Sequence, residues 1–122
     1  MRSRTTGRPL RPHTTWEQTM PTTRAPVTDS VRRTRLVGEL DLASAAQVTE
    51  HLAQLVHGGS RVVVDLSDVA FMDCAGLAPL MRAHLRAASG GGWVRLCGVQ
   101  RGPMRVLLLT ETTWLLAAPV MG

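Results

Sequence analysis

A chain of 122 residues, 44% hydrophobic and without an apolar run long enough for a bilayer span, makes one small domain with a single modest core, and excludes wholesale disorder and a membrane helix. The opening residues lack the apolar centre of a secretory signal, and two cysteines are too few for a disulfide framework, so a cytoplasmic protein is expected. The formal charge of +5 is local: all fourteen basic residues are arginine, and eight lie in residues 1–35 against Glu17 and Asp29, whereas beyond them six arginines face seven acids. A basic arm of this kind is expected to be a solvated extension, with weak contact to nucleic acid or an anionic surface left open.

Residues 1–30 are rich in Thr, Arg and Pro (Pro9, Pro12, Pro21, Pro26) and show no sustained period. Such a stretch cannot bury enough apolar surface to offset ordering, and it is expected to be a disordered basic leader that folding does not need. A weak strand is expected over 31–37, broken by Gly38. Ser44-x-x-Gln47 fits a capping box for a helix carrying Val48, Leu52, Leu55 and Val56, stopped by Gly58 and Gly59. The continuous run "VVVDL" at 62–66 suits a central strand covered on both faces. A second helix follows, with Leu77, Leu80, Met81, Leu85 and Ala88 on its apolar stripe and Pro79 expected to bend its first turn. It ends at Gly90-Gly91-Gly92. "WVRLC" at 93–97 reads as a strand, Pro103 as the first residue of a third helix with Met104, Leu107 and Leu108, and residues 114–116 as a last edge strand. This alternation predicts an α/β domain over residues 31–122: a mostly parallel sheet of four or five strands joined by right-handed helical crossovers.

In such sheets function collects where strands end and helices begin. Two corners stand out, "GELDLAS" at 38–44 and "FMDCAGL" at 71–77. Each sets a carboxylate, Asp41 or Asp73, just before a helix N-terminus, where it meets the positive end of the helix dipole. Local physics alone accounts for both as helix caps.

The two motifs together go further. "VGELDLASA" and "VVVDLSDVAFMDCAGL", followed by "GGWVRLCGVQRGPMRVLLLT", resemble the STAS domain of bacterial anti-sigma factor antagonists over most of the chain beyond the leader. The resemblance implies regulation of transcription by partner switching. The unmodified antagonist binds an anti-sigma factor, a protein with an ATP-binding serine-kinase fold, and so releases a sigma factor; phosphorylation of the hydroxyl after the second aspartate abolishes binding. It places the partner-binding surface at Glu39, Asp41, Asp73, Cys74, Ala75 and Gly76, with Cys74 at the phosphoacceptor position. It implies no enzymatic activity, no cofactor and no metal, and leaves a homodimer open. The alternatives are a STAS subunit of a membrane lipid-transport ATPase complex and a divergent, inactive STAS protein.

The chain departs from that pattern where the switch belongs. Neither Cys74 nor Ala75 is an ordinary phosphoacceptor, which leaves three readings: an antagonist locked in its binding form, a divergent relative, or a redox switch at Cys74 with Cys97 as the resolving thiol. Ser67 and Thr110 are the substitute hydroxyls to watch. An enzymatic reading needs a base for Cys74, and His13, His51, His57 and His84 are not spaced to supply one. Family members carry a further strand before "VGELD" and a helix after the last strand. No convincing strand is evident in the leader here, so the sheet edges are expected to be open or completed by a partner.

Overall fold

β2 (Arg32–Leu40), β3 (Arg61–Met72) and β4 (Trp93–Cys97) run parallel, joined by α1 (Leu42–Leu55) and α2 (Cys74–Ala88). β1 (Arg11–His13) adds an antiparallel strand outside β2, and the chain after β4 forms α3 (Arg101–Leu109) and a 3-10 turn at Thr113–Leu115. The computed structural model describes residues 11–13 and 30–117. The expected α/β architecture is present, with four strands in the order β1-β2-β3-β4. No described helix is long and apolar enough to cross a membrane.

Strand register sorts the side chains onto two faces. Thr34 beside Val64, Leu40 beside Met72 and Val64 beside Leu96 point to one side, where they join Leu36, Leu66, Val48, Leu52, Leu77 and Leu80 in one buried cluster. The other side carries Arg33, Val63 and Arg95 in one row and Arg35, Asp65 and Cys97 in the next. The "VVVDL" run is therefore central, as its β-branched composition requires, although the strand extends to Met72.

Several elements differ from expectation. β2 does not stop at Gly38: it passes through that residue at φ 121° and ends at Leu40. Two register shifts against β3, between Arg35 and Val37 and between Gly38 and Glu39, absorb extra β3 residues and keep the strands together. α1 begins at Leu42 with Asp41 as its cap, so Ser44 is the reciprocal third residue of a capping box that starts one turn earlier than Ser44-x-x-Gln47. α2 buries Leu77, Leu80, Ala83 and Ala87 and leaves Leu85 64% exposed. Pro79 is buried within α2, which stays continuous to Ala88. Pro103 is the third residue of α3, still inside the first turn, whose N–H groups have no helical partner. Leu107 of that helix is buried, whereas Leu108 is exposed.

Both sheet edges have cover. On the β4 side the expected strand at 114–116 is a 3-10 turn and one parallel bridge, Leu96 to Leu116, with the Ala117 N–H donating to the Leu96 carbonyl at 2.8 Å. His84 completes that edge from α2. Its Nδ1 accepts from the Val94 N–H at 3.1 Å, and its ring meets Trp114 edge-on, centroids 5.2 Å apart. On the β2 side the cover is β1, so Arg11–His13 corrects the reading of the leader as strandless. The rest of residues 1–29 lies outside the described residues. The boundary near residue 31 is our proposal; a chain beginning at Pro26 is expected to unfold cooperatively, within about 5 °C of the full chain in a thermal melt.

Burial and the neighbouring Arg95 hold the His84 imidazole below its ordinary value of 6.5. A group lowered in this way supports the fold above the unfolded value and loses that support as pH falls through 6.5 toward the folded value. Melting temperature should therefore drop between pH 7.5 and 5.5 by more in the native chain than in His84→Asn, whose amide oxygen keeps an acceptor without titrating. Equal drops would assign the acid loss to other groups.

Candidate functional site

Because β2 and β3 are parallel neighbours, α1 and α2 both start from the same end of the sheet. Asp41 turns the chain out of β2. Its Oδ1 accepts from the Ser44 N–H at 3.1 Å, while Ser44 Oγ accepts from the Asp41 N–H at 3.1 Å and donates to the Glu39 carbonyl at 2.7 Å. One buried hydroxyl thus fixes the backbone from Glu39 to Asp41 and satisfies helix-end groups that would otherwise lack partners.

Asp73 does the same for α2, with Oδ1 accepting from the Gly76 N–H at 3.0 Å. Its own N–H donates to the Leu40 carbonyl at 3.0 Å, which ties the two corners together. Gly76 brings the helix in close. A Cβ at this position would collide with the Leu40 carbonyl, so only glycine lets the first turn of α2 lie against the end of β2.

These contacts bring Glu39, Asp41, Asp73, Cys74, Ala75 and Gly76 to one end of the sheet. Their surfaces differ. Glu39 and Cys74 are exposed, Asp41, Asp73 and Ala75 are half-buried, and Gly76 is buried, so its part is to set the approach of the backbone. Two neighbours escaped the sequence reading. Leu42, the first residue of α1, is 77% exposed, and Phe71, beside Glu39 in the β2–β3 register, is 47% exposed. A signal was available for Leu42, which falls off the stripe of Val48, Leu52 and Leu55. The rim therefore combines apolar Leu42, Phe71 and Cys74 with the carboxylates of Glu39, Asp41 and Asp73, a surface suited to a partner that offers apolar and basic groups.

Cys74 and Cys97 do not come together. Cys97 pairs with Asp65 in the β3–β4 register, and seven further residues of β3 lead from Asp65 to Met72. At about 3.3 Å per residue that is a separation of roughly 20 Å, against the 7 Å or less that a disulfide needs. Burial and the Asp65 carboxylate push the Cys97 thiol up, with Arg33 opposing, which makes it a poor thiolate. Cys97 is no resolving partner for Cys74. The histidines are committed elsewhere: His51 Nε2 shares a 2.9 Å hydrogen bond with Thr34 Oγ1, and His84 lies ten residues along α2 from Cys74, roughly 15 Å at helical rise. His13 has only its backbone described, and His57 is exposed beyond the end of α1.

The family model described as "Mlab, STAS domain" matches residues 24–116. No curated protein matches the chain. Among solved structures, the anti-sigma factor antagonist SpoIIAA in its unphosphorylated form aligns with a TM-score of 0.58 at 18% identity, over 76% of this chain and 83% of its own. An antisigma-factor antagonist STAS domain from Rhodobacter sphaeroides aligns with a TM-score of 0.50 at 18% identity, over 88% of this chain and 96% of its own. At that identity the two structures establish the shared fold.

Proposed function

The chain belongs to the STAS-domain family, and from that premise we propose that it is a cytoplasmic anti-sigma factor antagonist whose partner is a kinase-fold anti-sigma factor. The observation that carries this reading is the rim. Two capped helix starts are locked side by side by Ser44, Asp73 and Gly76, and Leu42, Phe71 and Cys74 are left exposed among three carboxylates. Both solved neighbours described above are themselves anti-sigma factor antagonists.

In this reading the rim docks against the anti-sigma factor and holds it away from its sigma factor, so transcription proceeds. Cys74 stands at the first position of α2, where the family has its acceptor hydroxyl. A thiol there fills the same small space and leaves the contact surface intact, but it is not an ordinary phosphoryl acceptor. The protein is then a constant binder, and its amount sets the response.

Affinity capture from cell extract tests the partner class. Recovery of a kinase-fold anti-sigma factor supports the proposal, whereas recovery of a transport ATPase favours a lipid-transport subunit. Asp41→Arg and Asp73→Arg should each lose the captured protein while keeping cooperative unfolding, since rim charges act on association more than on folding. Unfolding of both variants in place of lost capture would reduce the two aspartates to helix caps.

A further inference from the structure

A groove runs between α1 and α2 on the side of the helix layer that faces solvent. Its floor is apolar, formed by Leu52, Ala53 and Val56 of α1 and by Pro79 and Ala83 of α2. Arg82 and Arg86 make its lip on α2, and Thr49 faces them from α1; all three are exposed. Thr49 and Ala53 follow Leu42 by seven and eleven residues, two and three turns along the same flank of the helix. The groove therefore opens at the rim, beside Leu42, and reaches about 17 Å along α1 from there.

Charge separates its two ends. The rim carries Glu39, Asp41 and Asp73, whereas α2 contains two arginines and no carboxylate, and α1 contains a single one, Glu50. Neither Arg82 nor Arg86 has an ion-pair partner among the described residues. Arg86 sits in the last turn of α2, where the helix dipole favours a cation. Arg82 lies a turn earlier without that support, and two like charges four residues apart disfavour the free helix. A carboxylate brought between them removes that repulsion and meets two guanidinium groups.

We propose that the groove receives an acidic, apolar-faced helix of the protein that docks on the rim. About three turns of that helix fill it, with the apolar side on Ala53, Pro79 and Ala83 and the carboxylates between Arg82 and Arg86. The proposal rests on the rim reading and adds a second contact of opposite charge. A surface acidic at one end and basic at the other accepts its partner in one direction, since reversal sets like charges together at both ends.

Calorimetric titration of a purified kinase-fold anti-sigma factor with the full chain tests the groove. Arg82→Glu combined with Arg86→Glu should weaken binding by roughly 30-fold, and the corresponding pair of lysine changes by no more than about threefold. Melting temperature should stay unchanged in both, because the two side chains are exposed. Ala53→Trp, which fills the groove and keeps both arginines, should lose about tenfold in affinity. Binding indifferent to the arginine reversal or to the filled groove overturns the proposal and leaves the rim standing. No binding by the native chain overturns the rim reading and this proposal with it. Sedimentation of the native chain alone covers the other occupant: a dimer that the arginine reversal dissociates would give the groove to a second copy and overturn the proposal.

Discussion

Gly76→Ala is expected to lower stability by about 2 kcal/mol or more, seen as a drop of roughly 10 °C in melting temperature. Helix propensity alone argues the opposite sign, since alanine is favoured over glycine inside a helix by about 1 kcal/mol. Packing decides the outcome. The new Cβ would run into the Leu40 carbonyl, a backbone atom that cannot swing aside as a flexible side chain would. Relief requires α2 to back away from β2, which breaks the hydrogen bond from the Asp73 N–H to the Leu40 carbonyl and loosens Leu77 and Leu80 from the core. The rim is displaced with them, so partner binding should weaken together with stability. A variant as stable as the native chain would mean that the two corners are held less closely than described.

The second large effect concerns the switch. The native chain, incubated with its anti-sigma kinase and ATP, should keep its mass and its complex, because phosphoryl transfer needs a hydroxyl in line with the nucleotide phosphate. Cys74→Ser should take up one phosphate at that residue and weaken the complex by about 100-fold, as an unpaired charge enters the interface. The fold should survive. Position 74 opens α2, and added negative charge at a helix N-terminus meets the positive end of the dipole. The substitute hydroxyls are poorly placed for the role. Thr110 Oγ1 donates to the Val106 carbonyl at 2.8 Å, and Ser67 lies five residues up β3 from Met72. Phosphate appearing on either in the native chain, with release of the partner, would contradict a locked antagonist.

How much of this was legible in the sequence depends on what each element answers to. The alternation of strands and helices, and the place of Asp41 and Asp73 at helix starts, follow from local patterns and could be read directly. The length of β2 could not, because it depends on extra residues in β3 that only pairing reveals. Once β2 reaches Leu40, Asp41 becomes the cap, and Ser44 moves from cap to third residue. Leu85 and Leu108 fit an apolar period but lie outside the stripes that the sheet selects, and Trp114 packs on His84 instead of entering the sheet as a strand. At the rim the carboxylates were visible from their motifs. Leu42 and Phe71 were not singled out, because an apolar residue beside a motif is ordinarily assigned to the core.

Leu42 offers the most direct test of that rim. At 77% exposure it contributes little to the core, and aspartate is well tolerated at the first position of a helix. Titration of a purified kinase-fold anti-sigma factor with the native chain and with Leu42→Asp, alongside thermal melts of both, separates binding from folding. If the rim is the docking surface, the native chain binds, and the variant loses at least about tenfold in affinity at an unchanged melting temperature. Equal affinities for the two proteins, or no binding by the native chain, would contradict it.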